Sequence, residues 1–417
     1  MSQRPLPPLL KIIGPGILVA ATGVGAGDLL TATLAGSEVG LSLMWAVAAG
    51  AVLKWVLNEG LARWQLATES TVLEGWVWRL GRWIQWVFLA YLLLFTLVVG
   101  GALVSACGVA GSGFLMLGDA TQSRIIWGIL HSLAGFLLVS YGSFALFERL
   151  MSVFIGIMFV TVVATVFLMS PDWPAVAAGF VPSLPPQETG WLIAVLGGVG
   201  GTVTLLSYGY WIREEGRRGI EGVRICRIDL TVAYLVTAVF GFSVIIIGSE
   251  IEVTGQGAAI ALQLADQLAL TLGDWARPFF LLGFWGAVFS SLLGVWQSIP
   301  YMFADFMDLR SGAQPGVRRN VNLRKSRAYR AYLVIIATVS IVFLWTPVRQ
   351  IQLTYGIIAA LFMPLLALTL LIMNNRRRWV GAEFMTGWVM NAILAGGLLF
   401  FLYVGVLQVL GLAPASG

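Results

Sequence analysis

A chain of 417 residues that is 59% hydrophobic and only 11% charged, with a mean hydropathy of +0.88, is excluded from the soluble globular class, whose members carry about 25% charged residues. Its net charge of +5 does not indicate nucleic-acid binding, because the basic residues sit in short loops between apolar stretches, where they report topology. The two cysteines, Cys107 and Cys226, lie in or beside apolar stretches and exclude a disulfide framework or a zinc cluster.

Eleven stretches approach the 20 or so residues that a membrane-spanning α-helix needs. The short Pro-rich start, MSQRPLPPLLK, lacks a small-residue cleavage site and is not expected to be a signal peptide. The first span, 9–40, contains Gly23-Val24-Gly25-Ala26-Gly27-Asp28. Each glycine disfavours helix by about 1 kcal/mol relative to Ala, and a carboxylate follows. A bilayer admits such backbone and such a charge only where protein or a watery cavity surrounds them. A broken helix lining a substrate site is therefore expected. The second span is 42–66, followed by an amphipathic connection, TVLEGWVWRLGRW. Spans three to five are 84–110, 122–141 and 145–169, and a Pro-rich loop leads to the sixth, 189–214. The seventh is 224–248; a polar, partly helical loop over 250–273 precedes the eighth, 275–306; the last three are 328–346, 351–373 and 384–411. Trp76, Trp78, Trp83, Trp86, Trp379 and Trp388 fit interface belts.

Loops on one side carry Arg63, Arg79, Arg82, Arg149, Arg213, Arg217, Arg218, Arg224, Arg227, the run 310–330 and Arg376 to Arg378; the alternate loops carry only Arg124, Arg277 and Arg349. The positive-inside rule puts the N-terminus in the cytoplasm and, after eleven spans, the C-terminus outside. The expected location is the plasma (inner) membrane.

The sixth span resembles the first. Gly197, Gly198, Gly200 and Gly201 loosen it, and Thr202, Thr204 and Ser207 supply hydroxyls. Two glycine-interrupted spans five apart suggest a five-plus-five inverted repeat with the site where the broken helices meet. The plainer alternative is that small residues merely let helices approach.

Several short motifs now form a pattern: GPG at Gly14 to Gly16, AGSEVG at Ala35 to Gly40, Ala62-Arg63 with Thr68, Leu146-Phe147-Glu148, and Met373-Asn374-Asn375-Arg376. Over nearly its whole length the chain resembles the Nramp divalent-metal transporters. The resemblance implies an all-α integral membrane protein with eleven transmembrane helices and the LeuT-like fold, helices one and six broken. Residues 1–170 would form the first five-helix repeat, 171–375 the second and 376–417 an additional helix. It also implies alternating access by rocking of spans one, two, six and seven. The functional motifs differ. The family's Asp-Pro-Gly-Asn falls at Gly25, Ala26, Gly27 and Asp28, and its Met-Pro-His-Asn at Thr204, Leu205, Leu206 and Ser207. Third-span acids of the family fall at Ala90 and Leu97, and tenth-span glutamines at Gly356 and Phe362. In this respect the chain is similar to the Nramp-related magnesium transporters.

What remains is a set of oxygen donors: the Asp28 carboxylate, the hydroxyls of Thr202, Thr204 and Ser207, and backbone at Gly23, Gly25, Ala26 and Gly201. Such a set suits Mg²⁺, Ca²⁺ or Mn²⁺ rather than softer metals, and Mg²⁺ keeps several waters on one or two carboxylates. The leading expectation is a transporter moving a Mg²⁺-like, or Mn²⁺, ion inward, with Asp28, Thr204, Ser207 and the Gly25 carbonyl as ligands, no cofactor beyond the transported metal, and facilitated or weakly coupled uptake driven by membrane potential, since the family's third-span acids and sixth-span histidine are missing. It would act as a monomer in the lipid bilayer, without nucleic acid and without enzymatic activity. The second reading is a LeuT-like carrier of a small organic or anionic solute such as an amino acid. It rests on the free N–H groups of the glycine run and on Lys54, a cation in mid-span that either neutralises Asp28 or meets the substrate. A receptor or scaffold without transport is the third.

Plainer roles are expected beside these. Asp28 can simply cap a half-helix. Lys54, Asn58, Glu59 and Arg63 read as a structural polar ladder, with Asn58 four residues from Lys54 and Arg63 four from Glu59. His131, the single histidine, reads as a hydrogen-bonded packing residue. Glu148-Arg149 and Arg213-Glu214-Glu215 read as loop ion pairs. Ser290 and Ser291 read as bonding their own helix rather than lining, with Gln297, a second ion site.

Overall fold

The computed structural model describes residues 16, 27–142, 144–183, 189–198, 200–250, 263, 265–266, 269–270, 273–310 and 323–409. Among them every regular element is helical. A π-helical turn, Gly27–Thr31, leads into α1, Ala32–Val39. Gly40, at φ 72°, turns the chain through a 3-10 segment, Gly40–Leu43, into α2, Met44–Thr68. The amphipathic connection folds as α3, Val72–Gly75, and a π-helical turn, Trp76–Leu80. It starts from a capping box, in which Thr71 N–H donates to Glu74 at 2.7 Å and Glu74 N–H to the Thr71 hydroxyl at 3.1 Å. The long helices α4, Arg82–Phe114, α5, Ala120–Tyr141, and α6, Phe144–Met169, follow. The Pro-rich loop holds α7, Trp173–Ala178, capped by Asp172.

The second half begins with α8, Thr189–Gly198, then a 3-10 segment, Val203–Leu206, and α9, Ser207–Glu214. Next come α10, Gly219–Ser249, and α11, Ala276–Arg310. Helix α12, Arg327–Val339, continues as a 3-10 segment, Ser340–Trp345. The tenth expected span is two helices, α13, Val348–Ala360, and α14, Phe362–Asn374. Pro364 explains the division, since it offers no N–H to the Ala360 carbonyl. A short α15, Arg377–Val380, and α16, Trp388–Val409, close the chain.

Nine stretches among the described residues are long and apolar enough to cross a membrane. Apart from Gly16, the expected first span is described only from Gly27 onward, where it runs on into the second span, and the expected fifth is the continuous 26-residue helix α6. The expected loop over 250–273 lies almost wholly outside the described residues.

Small residues set the closest crossings, as expected where packing rather than water drives helix association. A Cβ on Gly36 of α1 would stand 2.6 Å from the Ile245 carbonyl of α10. Helices α8 and α13 meet along a similar seam: a Cβ on Gly197 would come within 2.5 Å of Ala360 Cβ, and one on Gly356 within 2.5 Å of Ala194 Cβ. The tryptophan belt needs one correction. Trp83, Trp86 and Trp388 are exposed, but Trp76 is fully buried against Phe88, 5.5 Å between ring centroids. It belongs to the turn that plugs α3 onto α4, not to the lipid interface. Trp379 instead gathers the guanidinium groups of Arg79, Arg376 and Arg378 at 5.2 to 5.8 Å.

Candidate transport site

The break in the sixth span is the centre of the candidate site. Gly200 at φ +79° and Gly201 at φ +88° occupy the left-handed region between α8 and the 3-10 segment, which glycine enters without steric penalty. A Cβ at Gly200 would meet Thr237 Cγ2 and Tyr234 Cε1 at 3.2 Å and Lys54 Cδ at 3.4 Å. The unwound chain therefore passes directly over α10 and α2. Gly201, Thr202, Thr204 and Ser207 are all buried. Among the described residues the Ser207 hydroxyl has no hydrogen-bond partner, so one oxygen stands unsatisfied at the start of α9.

Lys54 lies opposite this break. It is fully buried in α2, and its Nζ donates to the Gly197 carbonyl at 2.9 Å. Gly197 is in the last turn of α8, where carbonyls lack partners within the helix and the dipole places partial negative charge. The ammonium is thus held by the same kind of half-helix end that would attract a transported cation. Between the two roles read for Lys54 in the sequence, the structure adds a third partner, the backbone of span six. Asp28 lies in the π-helical turn, with its side chain outside what the structure describes, and Gly23, Gly25 and Ala26 lie outside the described residues.

The ladder along α2 is present with different rungs. Asn58 donates to the Tyr234 hydroxyl of α10 at 2.6 Å, and its Oδ1 has no partner among the described residues. Glu59 pairs with Arg63 one turn on and with Arg227 of α10 at 2.9 Å. Arg63 also donates to the carbonyls of Phe384 and Met385, at 3.4 and 3.3 Å. These bonds tie α2 to α10 and to the segment before α16, which is a structural role.

Asp229 is the charged group that the sequence reading missed. It is fully buried in α10 and accepts the Gly16 N–H on both oxygens at 3.0 Å, the Tyr208 hydroxyl at 2.9 Å and Arg217 at 2.8 Å. One carboxylate therefore joins the start of the first span, α9 and the loop before α10. Its signal was available, because an acid in an apolar span must find partners. Two further contacts fasten α9. Tyr210 donates to Asp305 of α11 at 2.8 Å, and Arg213 pairs with Glu74 at 3.4 Å. The expected Arg213-Glu214-Glu215 loop pairing is thus replaced for Arg213: the fold brings the capping-box carboxylate of α3 within its reach. The side chains of Glu214 and Glu148 lie outside those described.

His131 is satisfied on both nitrogens. Trp285 Nε1 donates to its Nε2 at 2.7 Å, which puts the ring proton on Nδ1, 2.7 Å from the Trp127 carbonyl. Ser290 bonds the Ala287 carbonyl of its own helix at 2.9 Å, whereas Gln297 Oε1 has no partner. Among the described residues no group of three or more His, Cys, Asp or Glu is placed to hold a metal.

The α8–α13 seam accounts for the residue at Gly356. Gly356→Gln, which restores the side chain type of the resembled family, is expected to destabilise the protein by about 1–3 kcal/mol through overpacking against Ala194. Thermal unfolding in detergent measures this, and an unchanged midpoint would show that the seam opens freely.

A family profile described as "Natural resistance-associated macrophage protein-like" matches residues 16–411. A Brucella suis protein named "Divalent metal cation transporter MntH" is 22% identical over 398 residues, 91% of this chain and 84% of that protein. A Pseudomonas aeruginosa protein named "Divalent metal cation transporter MntH 1" is 27% identical over 305 residues, 67% of this chain and 65% of that protein. A Pasteurella multocida protein of uncharacterised function is 23% identical over 286 residues, 64% of this chain and 63% of its own length. Crystal structures of the Eremococcus coleocola manganese transporter superpose with a TM-score of 0.72 at 16% identity, covering 98% of this chain and 89% of that one. MhsT in complex with L-phenylalanine superposes at 0.60, also with 16% identity, over 99% and 100%. Profile and superposition cover nearly the same length, and the broken sixth helix lies within both: this all-helical, multi-pass membrane chain belongs to the Nramp family and has the LeuT-type fold.

Proposed function

We propose that the protein carries a hard, partly hydrated divalent cation, Mg²⁺ or Mn²⁺, into the cytoplasm by alternating access. The observation that carries this reading is that the polar side chains of the sixth-span break itself are hydroxyls: Thr202, Thr204 and Ser207 are buried, and among the described residues the Ser207 hydroxyl is unpartnered. No thioether or imidazole occurs between Gly200 and Glu214. Oxygen ligands suit hard ions, and the relatives' names, divalent metal cation transporters, point the same way. In this reading Asp28, Thr204, Ser207 and the Gly25 carbonyl are the ligands, with Gly23, Ala26, Gly201 and Thr202 lining the path. Lys54 limits the net charge that the site accepts.

The remaining parts of the reading follow from the sequence. Residues 1–170 and 171–375 are the two inverted repeats, and 376–417 adds a helix. The N-terminus is cytoplasmic, the C-terminus is outside, and the unit is a monomer. Membrane potential drives uptake, since two charges crossing 100 mV gain about 4.6 kcal/mol. His131 takes no part, because both its nitrogens are committed to tryptophans. His131→Leu is expected to leave the pH dependence of uptake unchanged; proton-coupled flux that disappears in this variant would contradict the reading.

One observation favours a second reading. The buried Lys54 ammonium at the end of α8 already supplies a cation where a metal would bring another, which suits an anionic or zwitterionic organic solute. A proteoliposome flux panel separates the two. Mg²⁺, Mn²⁺ and Ca²⁺ are compared with amino acids and small carboxylates for wild type, Asp28→Ala and Ser207→Ala. Divalent uptake reduced at least about ten-fold by Asp28→Ala, which corresponds to about 1.4 kcal/mol or more of lost carboxylate ligation, supports the metal reading. Absence of divalent flux at millimolar concentration, with uptake of an organic solute, reverses the order.

A further inference from the structure

A cleft of about 620 Å³ opens where the ends of α5 and α12 meet, away from the transport site. Phe136, Val139, Leu333 and Val334 form its apolar part, and Arg324, Lys325 and Arg330 stand around it, with no acidic residue among the described residues of the lining. Arg324 is half-buried and fixed, its Nη2 reaching the Val139 carbonyl at 3.5 Å. Lys325, at the end of the 3-10 segment Leu323–Lys325, and Arg330, in the first turn of α12, are exposed; that turn is capped by Ser326 accepting the Tyr329 N–H at 3.1 Å. The cleft lies on the membrane face that carries the basic loops.

The surface leading away from it is apolar and open. On α5, Leu133 and Leu137 are exposed and lie two turns and one turn from Tyr141, itself 85% exposed beside the cleft. On α12, Val334 lies one turn beyond Arg330, and Val334 and Ile335 are exposed. Residues four apart share a helical face. A basic mouth therefore continues, one helical turn deeper, into an apolar strip facing the hydrocarbon.

We propose that this cleft binds the headgroup of an anionic phospholipid. The phosphate lies among Arg324, Lys325 and Arg330, and the acyl chains run along Leu133, Leu137, Val334 and Ile335. Basic pockets between membrane helices select anionic headgroups in this way. A free phosphate would satisfy the cations but leave the apolar strip unused, and a neutral lipid would do the reverse. The site is independent of which solute the protein carries.

The test uses the full chain, purified in a non-ionic detergent and delipidated. Binding is read by native mass spectrometry and by thermal unfolding with phosphatidylglycerol, phosphatidylcholine or inorganic phosphate. Phosphatidylglycerol is expected to bind and raise the unfolding midpoint, and the other two are not. Lys325→Gln with Arg330→Gln changes two exposed side chains and keeps Arg324 on Val139, so the fold is retained; its own unfolding midpoint without lipid checks this. Its affinity for phosphatidylglycerol is expected to fall roughly thirty-fold, about tenfold for each 1.4 kcal/mol at about 1 kcal/mol per cation. Equal binding of phosphatidylcholine, wild-type affinity in the double variant, or equal protection by inorganic phosphate would each overturn the proposal.

Discussion

Asp229→Ala is expected to destabilise the folded protein by about 3–5 kcal/mol, the usual consequence of removing one member of a buried ion pair. The carboxylate is fully buried, and the side chain of its partner Arg217 is only 6% exposed. Truncation removes the carboxylate that lies 2.8 Å from that guanidinium. It also removes the acceptor of the Gly16 N–H and of the Tyr208 hydroxyl. Thermal unfolding in detergent and the yield of monodisperse protein report the effect. Removing both charges, with Asp229→Ala and Arg217→Met together, is expected to recover part of the loss, because no uncompensated charge then remains. If the single variant unfolded like wild type, Asp229 would not be the post to which the first span and α9 are tied.

Lys54→Met is expected to raise the apparent affinity for Mg²⁺ by about a hundred-fold. The variant keeps the length of the side chain in a site that is fully buried and removes its charge. A single and a double positive charge about 10 Å apart repel by roughly 3 kcal/mol at an effective dielectric of 20, and that repulsion ends. The Gly197 carbonyl, now without the ammonium at 2.9 Å, becomes available to the incoming ion or its water. Binding of Mg²⁺ by calorimetry and initial uptake in proteoliposomes measure the change. A loss of divalent uptake together with lost organic-solute binding would instead assign Lys54 to the recognition of an anionic group.

The sixth span and α2 illustrate what is legible in sequence and what is not. The sixth-span break was readable because four glycines within five residues cannot sustain a helix, and the break falls at Gly200 and Gly201 with positive φ. The polar ladder of α2 was readable as spacing, and Glu59–Arg63 forms as a one-turn pair. Its other rungs were not readable. Asn58 turns to Tyr234, Glu59 takes a second cation from Arg227, and Arg213 reaches Glu74, because these partners lie 139 to 176 residues away, on separate helices brought together only by folding. Lys54 is the sharpest case: a cation in mid-span announces a partner, but nothing local identifies it as the Gly197 carbonyl, 143 residues distant.

The sequence by itself determined that the chain lies in a membrane, that its sixth span is interrupted, and that its candidate donors are oxygens. Composition and glycine spacing act locally, so these properties do not depend on which helix meets which. Tertiary structure alone decided where the charges go. Asp229 became an anchor for Gly16, Tyr208 and Arg217, His131 became a packed ring between two tryptophans, and Lys54 came to rest on the end of α8. A buried charge or hydroxyl is defined by the groups that replace its water, and those groups arrive from distant parts of the chain.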